Sequence, residues 1–119
     1  MEPVPTEIRL RKAERLLSVA YPDGTSFDLS FEYLRVSSPS ADVRGHGPGQ
    51  ETLQTGKEDV GVVNIEPVGQ YAVRLVFDDG HNTGLYTWKY LYELATERDT
   101  RWRDYLDRLE AAGYARKKS

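Results

Sequence analysis

The sequence contains no cysteine, so disulfide bonds, thiolate metal sites and cysteine nucleophiles are all excluded. That composition fits a reducing compartment. No apolar run is long enough to cross a bilayer. The first five residues lack the basic and apolar regions of a signal peptide. We therefore expect a cytoplasmic protein without a membrane partner.

Catalytic motifs are missing as well. His46 and His81 are the whole supply of imidazole, and neither begins the His-x-Asp or His-x-Glu pair of a non-haem iron site. No Gly-x-Ser-x-Gly elbow is present, and the alternating glycines at 45, 47 and 49 match neither common phosphate-binding loop. The net charge of −3 argues against a nucleic-acid partner. We expect no enzyme, because no catalytic set is complete.

Strand patterns occupy the first two-thirds of the chain. Alternation of apolar and polar residues at 7–11, 17–21 and 27–29 predicts a β-meander. The pattern returns at 62–66 and is clearest at 71–77. Asp78-Asp79-Gly80 then predicts a hairpin turn, with Gly84-Leu85-Tyr86 as the return strand.

The last third predicts two helices. Thr87 is a candidate N-cap for the first, Asp99 or Thr100 begins the second, and Gly113 is a candidate cap at the end. Ser30 is a further N-cap candidate, for a short helix between the strand regions. We expect the clearest strand and the two late helices to share a core made of Val73, Leu75, Phe77, Trp88, Leu91, Trp102 and Leu106.

Strands first and helices last predict an α+β fold, in which antiparallel hairpins carry two C-terminal helices packed on the sheet. The 119 residues are enough for one domain. We expect a single domain over 1–119, with an ordered core at about 6–113 and flexible ends at 1–5 and 114–119.

A long loop is predicted at 37–61, where no apolar period can be traced. Loops of this length are usually functional or disordered. The run from Arg44 to Gln50 gathers a guanidinium, an imidazole and flexible backbone amides. One interpretation is simply an exposed, turn-rich loop. The other is a site that binds a partner or an anion through Arg44, His46, Gln50 and Lys57.

His81 lies beside the acidic turn and also leaves two interpretations open. A histidine in a turn is more often hydrogen-bonded to a local carboxylate or carbonyl than to a metal. The alternative is a metal-binding protein in which His46 and His81 act together with Asp78, Asp79 or Asp42.

Three segments resemble the gamma-butyrobetaine hydroxylase-like N-terminal domain family: Leu34–Gly49, Ile65–Gly69 and Asp78–Tyr86. The resemblance extends over about residues 5–112. It implies a domain that has no known function when it stands alone. In larger proteins the family precedes the iron- and 2-oxoglutarate-dependent domain of carnitine-pathway dioxygenases, or is fused to iron–sulfur carrier ATPases. Neither activity carries over, since the chain has neither the oxygenase barrel nor a Walker motif.

The resemblance also implies a zinc site in the dioxygenases, held by three cysteines and a histidine. Those positions correspond here to Ser38, Ser40, Val43 and His81. Serine is a poor zinc ligand and valine is none, so the site is expected to be lost. We expect the chain to need no cofactor for folding. Bound zinc or iron stays open as an alternative but is not expected.

The leading hypothesis is therefore a non-catalytic accessory or interaction domain with an unknown protein partner. By resemblance alone, that partner is an iron–sulfur carrier or a related assembly factor, in the setting of iron–sulfur protein maturation.

Overall fold

Two three-stranded antiparallel sheets and three helices make up the described part of the chain. The computed structural model describes residues 3–40, Val43 and residues 53–116. The first sheet has the order β1-β2-β3 and the second β4-β5-β6. The strands are β1 (Glu7–Arg11), β2 (Leu16–Ala20), β3 (Ser26–Ser30), β4 (Val62–Val68), β5 (Ala72–Phe77) and β6 (Leu85–Thr87). The helices are α1 (Phe31–Val36), α2 (Trp88–Thr96) and α3 (Arg98–Ala111). The predicted α+β fold, with antiparallel hairpins and C-terminal helices, is confirmed.

The first sheet is the predicted meander. Leu17 pairs with Leu10 and Leu29, so apolar side chains from all three strands share one face. Because the side-chain period of a strand is two, the same register places Val19 on that face. Leu17, Val19 and Leu29 are completely buried.

The second sheet carries the predicted hairpin. β5 pairs with β4 and with β6, and the β4 register shifts between Val62 and Asn64. Val73, Leu75 and Phe77 point into the core, as their alternation predicts. The alternation predicts that Tyr71 belongs to this strand, but Tyr71 lies in the preceding turn and is exposed.

Local capping chemistry sets the helix ends. The hydroxyls of Ser30 and Thr87 accept from the N–H groups of Tyr33 and Tyr90 at the starts of α1 and α2. α3 begins at Arg98, slightly before the predicted start. At its end Gly113 has φ +76°, a left-handed conformation that favours glycine.

The core joins both sheets to the helices. Leu91 of α2 is completely buried and belongs to the same core cluster as the inward-facing residues of β5. Trp88 and Trp102 are partly buried and pack against this cluster. The prediction that Leu106 belongs to this core is wrong, because Leu106 is 37% exposed. On α3 the buried residues are Tyr105 and Leu109, one turn apart, and the 3.6-residue period turns Leu106 away from that side. No helix in the described ranges is long and apolar enough to span a bilayer.

The two leucines form a matched pair for testing the core. We expect Leu91→Ala to lower the free energy of unfolding by about 2–5 kcal/mol, because it opens a cavity at a fully buried position. Leu106→Ala, on the exposed side of α3, should cost roughly 0.5 kcal/mol or less. Urea unfolding of both variants measures the difference. Equal losses would contradict this arrangement of helices on the sheet.

Candidate functional site

The predicted long loop is attached to the β5–β6 hairpin on both of its described flanks. The hairpin turn is closed by the Phe77 N–H, which donates to the His81 carbonyl at 2.9 Å. Ser38 and Ser40 contact this hairpin from the N-terminal flank of the loop. Lys57 contacts it from the C-terminal flank. The two described flanks therefore lie against the same hairpin.

The N-terminal flank is held by a chain of hydroxyl contacts. Ser38 Oγ lies 2.8 Å from His81 Nε2, and the Ser40 N–H donates to the same Oγ at 3.2 Å. Ser40 Oγ lies 2.8 Å from Thr83 Oγ1. Two serines of one segment thus bind two side chains of the other, which fixes the position of the flank against the hairpin.

Close packing reinforces these contacts. A Cβ atom on Gly84 would lie 2.4 Å from Ser38 Oγ and 3.3 Å from Pro39 Cδ, so only glycine allows this approach. Tyr86 Oη donates to the Leu34 carbonyl at 2.5 Å, and burial raises the pKa of Tyr86 far above its ordinary value. The phenol therefore stays protonated and remains a donor to the end of α1.

The C-terminal flank is held by charge. Asp79 Oδ2 accepts from Arg35 Nε at 2.9 Å and from Lys57 Nζ at 2.6 Å, while Oδ1 accepts from the His81 N–H at 3.1 Å. Arg35 also donates to Gln54 Oε1 at 3.2 Å. Burial alone would raise the pKa of Asp79, but the three donors outweigh it and lower the pKa to about 2.

A serine beside a histidine, as in the Ser38–His81 pair, is the composition of a nucleophile and its base, but the Ser38 hydroxyl is not accessible to a substrate. Ser38 is 1% exposed, and its Oγ already accepts from the Ser40 N–H. A nucleophile must reach a substrate carbonyl or phosphoryl group, which this enclosed hydroxyl cannot do. The pair therefore connects two segments of the fold and presents no reactive group.

The structure places only part of the predicted site. Arg44, His46, Gln50 and Asp42 lie outside the described residues, and the roles predicted for them stay predictions. Lys57, Asp79 and His81 do lie together at the hairpin. Asp78 is exposed on the same turn, and its backbone N–H donates to the Gly61 carbonyl at 2.8 Å.

Within the ranges that the structure describes, no three histidine, cysteine or acidic side chains are grouped so that they could hold a metal. The metal-binding alternative needs His46 and so stays a prediction, which metal analysis of the untagged protein would test.

Sequence reasoning missed Arg35, although a signal was present. Arg35 stands in Phe31–Val36, a run in which four of the six residues are apolar, and its side chain is only 8% exposed. A buried cation requires a partner, and the sequence offers Glu32, three residues before it, as well as carboxylates elsewhere in the chain. The pattern cannot say which carboxylate, since Asp79 is 44 residues away.

The fold and these contacts define a small α+β domain in which the described flanks of the 41–52 segment are both held against a hairpin. The chain belongs to the family described as gamma-butyrobetaine hydroxylase-like, N-terminal, whose family model matches residues 8–92. The predicted resemblance is confirmed. A comparison with curated proteins finds no match.

Solved structures of similar proteins support the fold. One similar protein, solved by NMR in solution, is 51% identical, and the match covers 100% of this chain and 95% of that protein with a TM-score of 0.85. A second NMR structure is 50% identical, and the match covers 96% of this chain and 85% of the other with a TM-score of 0.81. A crystal structure from Acidithiobacillus ferrooxidans, of a DUF971 family protein of unknown function, is 45% identical, covers 79% and 92%, and gives 0.64.

The zinc site that the resemblance implies can be tested on the donors present here. Ser38, Ser40 and His81 meet at the hairpin, and Val43 is buried close by along the chain, with its N–H donating to the Ser40 carbonyl at 3.0 Å. Their chemistry does not fit zinc, which prefers thiolate and imidazole ligands. Hydrogen bonds join the two segments here.

We expect Asp79→Asn to lower the free energy of unfolding at pH 7 by about 1–2 kcal/mol. The sign follows from the pKa, which is about 2 in the folded chain. An aspartate in the unfolded chain has a pKa near 4, so the contribution of Asp79 to the free energy of unfolding is complete above about pH 4 and disappears as the pH falls through about 2. Urea unfolding of wild type and variant between these pH values measures the difference in their free energies of unfolding.

Asp78→Asn is the matched control, since Asp78 is the exposed neighbour in the same turn. Its difference from wild type should change little over the same pH range. A constant difference for Asp79→Asn across that range would show that the Arg35–Asp79–Lys57 contacts do not stabilise the fold.

The triple variant Ser38→Cys, Ser40→Cys, Val43→Cys should bind one zinc ion together with His81, because thiolates would then stand at the three unsuitable positions. Thiolate-to-cobalt charge-transfer absorption, followed by zinc displacement, measures binding. Adding His81→Ala should weaken binding at least about tenfold. If the triple variant binds no more cobalt than wild type, the four positions do not converge on one point.

Proposed function

We propose that this domain is a non-catalytic interaction module, and that its partner-binding surface combines the 41–52 segment with the hairpin turn at 78–83. The observation that carries the proposal is the double attachment of the loop. Ser38 and Ser40 hold one flank against the hairpin, and Lys57 holds the other. Such attachment keeps the two described flanks of the segment against one hairpin.

Fixed flanks reduce the entropy that a loop loses when it binds. Association costs about 0.5–1.5 kcal/mol for each side chain that becomes immobilised, in addition to the ordering of backbone. A loop whose ends are already held needs less ordering than one tethered only by covalent chain ends. This is why binding and catalytic residues are so often on loops that a rigid scaffold positions.

The donor groups at the hairpin and in the adjoining sequence favour an acidic group on the partner. Arg35 and Lys57 both donate to the carboxylate of Asp79, and the exposed Asp78 on the same turn brings these four charges to a net of zero, so the proposal rests on the donors and not on an excess of positive charge. Arg44 and His46 add further donors in the adjoining sequence. We propose that Arg44, His46, Gln50 and Lys57 contact a carboxylate or phosphate of the partner.

The biological setting we propose is iron–sulfur protein maturation, with an iron–sulfur carrier or a related assembly factor as partner. This part of the proposal rests on the family resemblance, which includes fusion to iron–sulfur carrier ATPases. The domain would act there by binding, since the Ser38 hydroxyl is buried and is not presented to solvent.

We expect the double variant Arg44→Ala, His46→Ala to keep its stability within about 0.5 kcal/mol and to lose its partner. The reason is that both residues are proposed to contact the partner. Pull-down from native lysate with quantitative mass spectrometry measures retention. The matched control is Lys89→Ala, Arg103→Ala, which removes two exposed charges from α2 and α3. If both variants retain the same partners as wild type, the site assignment is wrong.

A further inference from the structure

A cleft of about 430 Å³ lies among β2, α1, α3 and the segment before β4. Its wall includes Phe31, Glu32, Tyr33, Trp102 and Arg116. Of the described residues, none belongs both to this cleft and to the clusters at the hairpin. The cleft is therefore a separate feature of the molecule, and a ligand bound in it would be independent of the partner surface proposed at the hairpin.

A buried carboxylate forms one end of the cleft. Glu32 is 5% exposed, and its Oε2 accepts from Tyr105 Oη at 2.8 Å. Arg116 Nε lies 2.8 Å from Oε2 and 3.1 Å from Oε1, and the second Arg116 nitrogen also reaches Oε1. Burying a lone carboxylate is costly, so this position requires a cation. The tyrosine orients the carboxylate and leaves both oxygens available to a guanidinium.

An aromatic ring completes the site. The centre of the Arg116 guanidinium lies 5.4 Å from the centroid of the Trp102 ring. Tyr33 meets Trp102 edge-on at 6.3 Å and Tyr105 meets it at 5.1 Å, so the ring is held by its neighbours. A carboxylate that accepts two hydrogen bonds, beside a fixed indole face, suits a planar guanidinium better than an ammonium group.

Arg116 reaches this site from beyond the end of a helix. α3 ends at Ala111 and the left-handed Gly113 turns the chain back. Tyr114 Oη then donates to Glu58 at 2.9 Å and 3.1 Å, on the far wall of the cleft. The Arg116 side chain is 33% exposed. Residues 114–116 thus cross the cleft without secondary structure of their own, which makes this segment easier to displace than an element of the core.

Carboxylates outnumber arginines in the described lining of the cleft. It holds six carboxylates and three arginines, one of which is Arg116. Removing Arg116 would leave Glu32 without its cation and the lining with a stronger negative charge. The wall therefore complements a basic ligand along its length, beyond the single guanidinium that it now holds.

We propose that this cleft is a docking site for an arginine side chain of a partner peptide, and that Arg116 occupies it until such a peptide displaces it. Arg116 is then an intramolecular competitor. A tethered group competes at an effective concentration on the order of millimolar, so the partner peptide must bind more tightly than a lone arginine.

The test removes the competitor and supplies the guanidinium from solution. The probe is N-acetyl-arginine amide, titrated into the Arg116→Ala chain. The Trp102 indole N–H resonance reports on the cleft, and the Trp88 indole, which donates to the Gln70 carbonyl at 2.8 Å, is the internal reference. We expect saturable shifts of Trp102 alone with a dissociation constant on the order of 1 mM. Wild type should bind about twofold more weakly or worse, because a competitor tethered at about 1 mM with a similar constant occupies about half of the sites.

Two comparisons separate recognition from general attraction. The citrulline amide keeps the shape of arginine without its charge and should bind the Arg116→Ala chain at least about tenfold more weakly. Glu32→Gln in the same background should cause a similar loss, whereas Asp107→Asn, exposed on α3, should cause none. Even if Glu32→Gln does not fold, the comparison of arginine and citrulline amides still tests whether the cleft recognises the charged guanidinium. Equal binding of arginine and citrulline amides, or no Trp102 shift at roughly ten times the expected constant, overturns the proposal.

Discussion

The end of α1 must find hydrogen-bond partners outside its own helix, and the arrangement of the chain depends on how it does so. A six-residue helix is not stable alone, and its last carbonyls have no intrahelical donors. Tyr86 donates to the Leu34 carbonyl and Tyr90 to the Ser37 carbonyl, each at 2.5 Å. Both phenols come from the second half of the chain. The helix that closes the first meander is thus completed by residues of the second sheet and of α2, which holds the two halves together.

α1 also carries two buried charged side chains, and each contacts a different part of the molecule. Glu32 and Arg35 are three residues apart, a spacing at which they could pair on one helix. Each instead contacts a partner far along the chain, Arg116 for Glu32 and Asp79 for Arg35. Arg35 thereby supports the hairpin to which the long loop is attached, while Glu32 forms the end of the separate cleft. One short helix therefore connects both surfaces for which we propose binding.

Sequence patterns predicted those structural features that depend only on residues close together in the chain. The strand alternation, the caps at Ser30 and Thr87 and the turn at Gly113 are all local chemistry, and each was found where expected. The division into two sheets was not predicted, because alternation identifies a buried side of a strand without identifying its partners. The same limit explains why Leu106 was misplaced and Arg35 overlooked. Only the family resemblance brought Ser38 and His81 together, as their 43-residue separation leaves no periodic signal.

The zinc site that the family resemblance implies would tie the loop to the hairpin more strongly than the contacts present here. A structural zinc site contributes on the order of 10 kcal/mol or more, whereas one hydrogen bond contributes roughly 1 kcal/mol net. The contacts of Ser38 and Ser40 cannot replace such a site alone. The chain adds the charged contacts of Asp79 and the two phenol hydrogen bonds to α1, which spread the tie over several weak interactions. Weak contacts open one at a time and at low cost, so either flank can detach from the hairpin while α1 and the sheets stay in place. A domain tied in this way is suited to reversible binding, which is the role that the fastened loop and the occupied arginine cleft both support.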